Sequence, residues 1–556
     1  MRLAGKEVLC KILQMEGVSE VFGNPGSTEV PFIDTLVNYP RTRYVLALHE
    51  GEAVAMADGY ARASGKVGVV SVHAAPGTAN TLGNLYNAYI DNIPLVILAG
   101  QQDSRMLVRQ PYLSADLARL ASQFTKWSWQ VSRVEELTVA LRRAFKEATS
   151  PPAGPVFLAL SRNVLDETTE YEDIPASKFT VSDRTRGDID EVHKAAELLV
   201  AAKSLIVVAG ERVGRAGAVA ELVELAEMLG ARVYGEASAF PTGHPQYIGP
   251  IERQIGSLAN EGDTFFAVGI RLFPEFSYSA GPMFPKETSL VHLDINPWEI
   301  AKNIPVDAGI VANIKIGLRE LISETRELLD STRLEAIEQR LGEVKRRRAT
   351  VQDALERDLR AVWDAVPIRV PRLLKEMQEV LPHDAIIIDQ SIRSATYLRR
   401  YFEFTTPGTY FSEGGGSLGW GIGAAVGAQL ARPDRRVVGF LGDGSANFGP
   451  KSLWTAAKYN IPVVIIVINN RGYAAVKGLL LSYKGEAAKQ GTFVGTEISG
   501  LDYVKLAEAY GVRGWRVERP EEIGPTLKQA LGSGGPALLE VVVDPKDLGF
   551  GMPLLQ

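Results

Sequence analysis

The sequence predicts an α/β protein of three domains, each with a mainly parallel sheet flanked by helices. Short, continuous apolar runs recur along the chain, as in residues 67–72 (VGVVSV), 204–210 (SLIVVAG) and 462–468 (PVVIIVI). Runs without polar alternation are typical of parallel strands that are buried on both faces. Helical patterns separate these runs, and this alternation of strand and helix predicts βαβ units.

Length and two polar segments suggest where the domains divide. A chain of 556 residues corresponds to about three or four domains. The stretch from 165 to 190 is acidic and without periodicity, which is typical of a linker, and the stretch from 325 to 365 is dense in Glu, Arg and Lys, which favours a solvated helix. We therefore expect domains at 1–180, 185–340 and 360–556.

The predicted elements follow in chain order. An amphipathic helix and a strand occupy residues 1–23, and residues 414–430, which are mostly Gly and Ala, predict a helix packed closely against a neighbour. The remaining apolar runs predict further strands at 94–100 in the first domain, 264–269 in the second, and 384–390 and 436–442 in the third.

Composition excludes several classes of partner. The chain has 60 Lys+Arg and 66 Asp+Glu, a net charge of −6 with no basic stripe, so we expect no nucleic-acid partner. Its apolar runs are shorter than the roughly 20 residues that span a bilayer, so we expect no membrane segment. The single cysteine, Cys10, and an N-terminus without a signal pattern favour a cytoplasmic protein.

Residues 436–470 carry the pattern of a metal and phosphate site. Asp443 follows one predicted strand and Asn470 follows the next, and a right-handed crossover brings both to the same edge of a parallel sheet. Carboxylate and amide oxygens suit an octahedral Mg²⁺. Gly442 and Gly444 let the backbone approach an anion, and the hydroxyl of Ser445 is a further phosphate donor.

The GDG segment followed by the Asn pair resembles the signature of the thiamine-diphosphate-dependent enzymes, the superfamily of pyruvate decarboxylase and acetolactate synthase. The resemblance implies thiamine diphosphate and Mg²⁺ as cofactors. It implies that Asp443, Asn470 and the backbone oxygen of Gly472 bind the metal. The residues that would contact the cofactor at this end are Ile392, Arg393, Gly442, Asp443, Gly444, Ser445, Asn470, Gly472 and Tyr473.

The same resemblance assigns a role to the segment around HEGEAVAMADGYAR. It implies that Glu50 hydrogen-bonds the pyrimidine ring and so activates the cofactor. Alternatively, Glu50 is a charge stabilised at a helix N-terminus. In the glycine-rich segment, Gly416 aligns with the carbonyl that binds the cofactor amino group and Leu418 with the apolar wedge under the bent cofactor. Leu418 could equally be a core leucine.

An oligomer follows from the resemblance alone. In such enzymes the residues aligned with Glu50 and Asp443 belong to different subunits, so a homodimer or homotetramer with active sites between subunits is implied.

Within the superfamily the sequence most resembles the benzoylformate decarboxylases, through VFGNPGS, SVHAAPGT and GPVFLAL. This implies that Ser27 contacts the substrate carboxylate and that His73, after a predicted strand, relays protons near neutral pH. Alternatively, Ser27 is a turn serine that bonds its own backbone.

The substrate region departs from this pattern at one position. Where the resemblance implies a second catalytic histidine, the chain has Phe276, so Glu275, water or the cofactor amine would have to move that proton, or the reaction takes another course. The residues that align near the substrate side chain and predict an apolar pocket, beside Ser27 and His73, are Tyr112, Leu113, Phe276, Val476 and Leu479.

These patterns predict the non-oxidative decarboxylation of a small 2-keto acid, benzoylformate-like and aromatic or aliphatic, to an aldehyde and CO2. The alternatives are a carboligase similar to acetolactate synthase and a 2-hydroxyacyl-CoA lyase, both with the same cofactor. The segment from 204 to 217 (SLIVVAGERVGRAG) lacks a GxGxxG pattern, which favours a structural middle domain over one that binds FAD.

Overall fold

Three parallel sheets organise the chain. The structure is a computed structural model that describes residues 1–251, 255–272, 278 and 280–551. These residues form three six-stranded sheets, all of whose strand pairs are parallel, and one two-stranded antiparallel pair. The predicted α/β class with three parallel-sheet domains is confirmed. No helix within the described ranges is long and apolar enough to cross a membrane.

The N-terminal sheet has the strand order β3-β2-β4-β5-β7-β6. Its strands β4 and β5 are buried along almost their whole length, as their continuous apolar runs predict. The elements are β1 (Arg2–Ala4), α1 (Gly5–Met15), β2 (Glu20–Gly23), α2 (Val30–Leu36), β3 (Arg43–Leu46), α3 (Glu50–Ser64), β4 (Gly68–His73), α4 (Ala74–Ile90), β5 (Leu95–Gln101), α5 (Leu117–Ala121), β6 (Trp127–Val131), α6 (Val134–Thr149), β7 (Val156–Ser161), α7 (Arg162–Asp166) and β8 (Thr168–Glu170), which pairs with β1.

The middle sheet has the order β11-β10-β9-β12-β13-β14. Its elements are α8 (Ile189–Ala201), β9 (Leu205–Ala209), α9 (Glu211–Arg215), α10 (Val219–Leu229), β10 (Arg232–Gly235), β11 (Tyr247–Gly249), β12 (Thr264–Val268), β13 (Ser289–Asp294), β14 (Ala308–Val311), α11 (Ile314–Leu328) and α12 (Ser331–Ala361). Helix α12 is the predicted charged helix. It is mostly exposed but buries Ile337 and Val344, so one face packs on the domain.

The C-terminal sheet has the order β16-β15-β17-β18-β20-β19. When the strands of each sheet are numbered along the chain, the C-terminal sheet has the same strand order as the N-terminal sheet. The elements are α13 (Val370–Val380), β15 (Ile386–Gln390), α14 (Ala395–Tyr401), β16 (Tyr410–Ser412), α15 (Gly421–Ala431), β17 (Val437–Gly442), α16 (Asp443–Ala446), α17 (Ser452–Lys458), β18 (Val464–Asn469), α18 (Ala474–Tyr483), α19 (Glu486–Gln490), α20 (Tyr503–Ala509), β19 (Arg513–Val517), α21 (Ile523–Leu531) and β20 (Ala537–Val542).

Helix α3 of the N-terminal domain packs against helix α15 of the C-terminal domain. A Cβ on Gly427 would lie 1.8 Å from the carbonyl oxygen of Met56, and one on Gly59 would lie 2.1 Å from that of Ala424. The two backbones are therefore in contact, as the Gly- and Ala-rich sequence predicts. The prediction of a helix from residue 414 was wrong at its start. Helix α15 begins at Gly421, because Gly416 and Gly419 have φ of +80° and +88°, outside the helical region.

Candidate active site

Asp443 and Asn470 meet at the carboxyl ends of the paired strands β17 and β18. The Asp443 carboxylate accepts hydrogen bonds from the N–H of Gly444 at 2.8 Å and from that of Gly472 at 3.1 Å. The same Gly472 N–H lies 3.1 Å from the side-chain oxygen of Asn470. The three residues that the sequence assigns to the metal are thus brought together. Gly472 has no room for a side chain, since a Cβ would lie 2.7 Å from the Thr496 carbonyl oxygen.

The charge of Asp443 is poorly compensated. The side chain is only 2% exposed, and its burial raises its pKa to about 6, although hydrogen bonds from backbone N–H groups act in the opposite direction. A divalent cation at these oxygens would offset that burial. Within the described residues no three His, Cys, Asp or Glu side chains form a metal-binding group, so a metal here would need further oxygen ligands, such as those of a diphosphate.

The turn after β15 lies beside the GDG segment. A Cβ on Gly442 would be 3.5 Å from the carbonyl oxygen of Ser391, and a Cβ on Gly444 would be 2.7 Å from the Tyr473 ring. Ile392 has a φ of +54°. This turn is fixed by Asp389, whose carboxylate accepts hydrogen bonds from the N–H and the hydroxyl of Ser391. Buried Ser445 and the turn that holds Ile392 and Arg393 therefore flank Asp443.

The glycine-rich segment forms a loop with an open face. Gly416 is exposed, and no atom of the described residues lies within 4 Å of the position of its missing Cβ, while Leu418 is half-buried. Its neighbours Gly414 and Gly415 are glycines for another reason. A Cβ at these positions would lie 2.2 Å from the Asp91 side chain and 2.4 Å from that of Asn87.

Glu50 is the first residue of α3 and is held by two amides. Its carboxylate accepts hydrogen bonds from the side chains of Asn24 at 3.3 Å and Asn80 at 2.9 Å. The preceding His49 caps the helix, since its Nδ1 accepts from the N–H of Gly51 at 3.1 Å. The side chain of Glu50 is 7% exposed, so the carboxylate is largely desolvated before any ligand binds.

His73 ends β4 and packs into the turn that contains Ser27. Its Nδ1 lies 3.0 Å from a carboxylate oxygen of Glu29 and 3.0 Å from the Thr28 hydroxyl. The turn approaches so closely that a Cβ on Gly26 would lie 2.1 Å from the imidazole. Ser27 is exposed beside this pair. Beside an ionised Glu29 carboxylate, which only accepts, Nδ1 of a neutral imidazole would carry the proton and Nε2 would be left as an acceptor.

The predicted apolar pocket is not enclosed by the described part of one chain. Tyr112, Val476 and Leu479 are 86%, 45% and 49% exposed. Leu113 is half-buried beside the start of α4, where its carbonyl accepts from the N–H of Ala75 at 3.2 Å. Phe276, together with its neighbour Glu275, lies outside the described residues.

The middle sheet reverses its order between β9 and β12, the point at which doubly wound sheets bind nucleotides. In this domain two contacts between described residues lie near that point. A Cβ on Gly210 would lie 2.4 Å from the Gly269 carbonyl oxygen, and buried Arg212 donates to Asp294 at 2.7 Å.

Sequence reasoning missed several polar residues of the site, namely Asn24, Glu29, Asn80, Asn84, Asn87 and Asp91. The signal for four of them was present. Positions 80, 84, 87 and 91 repeat at helical spacing, which places them on one face.

Three family models match the chain. They are the thiamine pyrophosphate enzyme N-terminal TPP binding domain over residues 3–120, the central domain over 192–321 and the C-terminal TPP binding domain over 393–541. Over 543 residues the chain is 33% identical to a benzoylformate decarboxylase of Pseudomonas aeruginosa, with 96% of this chain and 97% of the relative covered. The chain belongs to the thiamine pyrophosphate enzymes.

Relatives of this thiamine pyrophosphate enzyme include more than one activity. A probable acetolactate synthase large subunit of Methanocaldococcus jannaschii is 32% identical, with 98% of this chain and 93% of the relative covered. Among solved structures, a thiamine diphosphate-dependent 4-hydroxybenzoylformate decarboxylase of Rhodococcus jostii RHA1 has a TM-score of 0.84 and 30% identity, with 98% of this chain and 99% of that chain covered. The relatives therefore show that the chain belongs to the decarboxylase and acetolactate synthase superfamily. They do not distinguish between these two reactions.

The residues present fit the cofactor of this thiamine pyrophosphate enzyme. Asp443 offers a buried carboxylate that forms no ion pair within the part of the chain that the structure describes, Gly416 offers an open backbone face, and Glu50 offers a carboxylate already held by hydrogen bonds. The Asp443 carboxylate would suit the metal of a metal diphosphate. The Gly416 backbone would suit an amino group, and the Glu50 carboxylate would suit a ring nitrogen.

Proposed function

We propose that this enzyme is a thiamine-diphosphate- and Mg²⁺-dependent lyase that decarboxylates a 2-keto acid, aromatic or aliphatic, to an aldehyde and CO2. The observation that carries the proposal is the His73–Glu29 pair, beside Ser27 on one turn. In this proposal, His73 would transfer protons and Ser27 would be a neutral group that binds the substrate carboxylate. The decarboxylases among the relatives support the same reaction.

At the metal end, Asp443, Asn470 and the carbonyl oxygen of Gly472 would hold Mg²⁺. The residues that would surround the diphosphate are Gly442, Gly444, Ser445, Tyr473 and the Ile392–Arg393 turn. At the other end, Glu50 would hydrogen-bond the pyrimidine ring nitrogen, with Gly416 and Leu418 under the bend. When bound, thiamine diphosphate supplies a carbon nucleophile and accepts the electron pair that departing CO2 leaves behind.

At the substrate end, the Ser27 hydroxyl would bind the carboxylate of the 2-keto acid without pairing it with a cation. A neutral partner suits a group that must leave as CO2, since a salt bridge would stabilise the charged reactant. His73, whose Nδ1 is held by Glu29, would move a proton at Nε2. The apolar residues Tyr112, Leu113, Phe276, Val476 and Leu479 would face the substrate side chain.

A second candidate is a carboligase, in which the activated carbon attacks a second carbonyl compound. The acetolactate synthase relatives favour it, as does Phe276, which cannot move a proton. The 2-hydroxyacyl-CoA lyase reaction belongs to the same alternative. Incubation with pyruvate separates the candidates, since a decarboxylase releases acetaldehyde and a carboligase releases acetolactate.

The proposed assembly is a homodimer or homotetramer with active sites between subunits. The exposed apolar side chains of Tyr112, Val476 and Leu479 support it, since a partner subunit would cover them. For the middle domain we propose a structural role rather than FAD binding, in accord with the Arg212–Asp294 pair. A cytoplasmic location is proposed from the single buried cysteine, Cys10.

The test is CO2 and aldehyde release from a panel of 2-keto acids by protein purified with thiamine diphosphate and Mg²⁺. We expect turnover of at least one aromatic or branched member, and loss of at least about a thousandfold in Glu50→Gln. Release of CO2 from no member of the panel would contradict the proposed reaction type.

A further inference from the structure

Four polar side chains lie along one face of α4 and its C-cap. Asn80, Asn84, Asn87 and Asp91 are spaced by four, three and four residues, which brings them onto one side of a helix. Asn84, Asn87 and Asp91 are buried, with 6%, 0% and 6% of their surfaces exposed. Buried amides and carboxylates are costly unless hydrogen-bonded, so their partners reveal what this face does. We name these four residues the α4 polar row.

The N-terminal half of the α4 polar row holds the start of α3. Asn80 donates to the Glu50 carboxylate at 2.9 Å, and Asn84 donates to the Gly51 carbonyl oxygen at 2.8 Å. The activating glutamate is therefore fixed both at its side chain and at the adjacent backbone.

The C-terminal half holds the glycine-rich loop of the C-terminal domain. Asn87 accepts from the N–H of Ser417 at 3.0 Å and donates to its carbonyl oxygen at 2.9 Å. Asp91 accepts from the N–H of Gly414 at 2.8 Å. Asn87 also donates to Asn84 at 3.3 Å, which links the two halves.

Arg62 binds Asp91, the last residue of the α4 polar row, and links it to further groups. Its guanidinium donates to Asp91 at 2.7 Å, to Asp58 at 2.6 Å and to the Ser412 carbonyl oxygen at 3.1 Å. Trp420 donates to the same Asp58 at 2.8 Å. Both ends of the loop, at residues 412 and 420, are thus tied to the N-terminal domain through buried groups.

We propose that the α4 polar row positions the loop of residues 413–420 and the Glu50 end of α3 as one rigid unit. The loop would otherwise be free to move, since it contains Gly414, Gly415, Gly416 and Gly419. Its role toward the cofactor rests on the proposed function, whereas the positioning itself is a property of the cofactor-free chain. Asn84, Asn87 and Asp91 act through the backbone of other residues, so they are positioning residues.

The experiment is amide hydrogen exchange by mass spectrometry on the cofactor-free protein, together with calorimetric titration of thiamine diphosphate at saturating Mg²⁺. In Asn87→Ala we expect at least about tenfold faster exchange in the loop and at least about tenfold weaker cofactor binding, since buried partners are left unpaired. Asn84→Ala should speed exchange around Gly51. The control Asn38→Ala removes the same amide at an exposed position and should change neither measurement.

Two substitutions of Asp91 distinguish a loss of loop positioning from a general loss of stability. Asp91→Asn keeps an acceptor for the N–H of Gly414 and should leave loop exchange within about threefold of the wild type, whereas Asp91→Ala should raise it about tenfold. Unchanged loop exchange in Asn87→Ala, or faster exchange spread evenly over all three sheets, would overturn the positioning role. If the loop responds as expected while the wild type decarboxylates nothing, the positioning stands and only the proposed function fails.

Discussion

Glu52 lies in the first turn of α3, at a place where folding disfavours the charged form of its side chain. Its side chain is 3% exposed and accepts a hydrogen bond from the Ser452 hydroxyl in the other domain. Burial raises its pKa from 4.5 to about 7, while the hydrogen bond from Ser452 and the charge of Lys451 act in the opposite direction. At this residue, the interface between two domains is sensitive to pH.

We predict that Glu52→Gln stabilises the cofactor-free protein at pH 8 by about 1–3 kcal/mol. Between pH 4.5 and about 7 the folded wild type keeps a proton here that the unfolded chain has released, so its free energy of unfolding falls as the pH rises. The neutral amide removes this loss. Urea unfolding at pH 4.5 and pH 8 measures the difference, which should nearly vanish at the lower pH.

The control for that experiment is Glu335→Gln, which makes the same change at an exposed position of α12. It should alter the free energy of unfolding by less than about 0.5 kcal/mol at either pH. An equal effect of Glu52→Gln at both pH values would mean that packing, not charge, governs this position.

At the scale of elements, the α3–α15 contact explains why glycines recur in α15. Close backbone approach excludes even a methyl group at Gly427, and the two helices carry the regions that hold Glu50 and the glycine-rich loop. Their separation therefore constrains the placement of both regions as well as the packing of the core.

Gly427→Ala should destabilise the protein by about 2–4 kcal/mol, because the new Cβ would fall 1.8 Å from the Met56 carbonyl oxygen and the backbones would have to separate. Gly342→Ala is the matched control within a helix. Its nearest neighbour would be the end of the Arg346 side chain at 3.7 Å, so we expect a gain of about 0.5–1 kcal/mol. Denaturant unfolding measures both, and a neutral Gly427→Ala would refute the close contact.

The strands could be predicted from the sequence because a strand buried on both faces is a continuous apolar run. The run at 462–468 is β18 (Val464–Asn469) to within two residues. The proximity of Asp443 and Asn470, which share the Gly472 N–H, was also foreseeable, since it follows from a local βαβ unit. The Asn87–Ser417 contact was not, because its partners are 330 residues apart and only the packing of two domains brings them together.

At the scale of the molecule, the proposed assembly divides one active site between two chains. If Glu50 of one subunit serves the metal site of the other, two inactive variants can repair each other. A closed dimer of Glu50→Gln with Asp443→Ala contains one site with both wild-type residues.

We therefore predict that co-expression of Glu50→Gln with Asp443→Ala restores about a quarter of the wild-type decarboxylase activity per chain, since random pairing makes half of the dimers mixed and each has one intact site. Each variant expressed alone is the control and should be inactive. Separately purified variants mixed without subunit exchange should stay inactive as well. No activity from the co-expressed pair, with mixed dimers isolated by two affinity tags, would mean that each site is built by one chain.

The shared strand order of the N-terminal and C-terminal sheets suggests duplication. His73 ends the third strand of its sheet in chain order, and Asp443 directly follows the third strand of the other. If one ancestral unit was copied and fused, these two residues occupy neighbouring positions at the end of the same ancestral strand, one now proposed for proton transfer and the other for a metal. The two halves of the active site would then be paralogous surfaces that diverged in chemistry while keeping one topology.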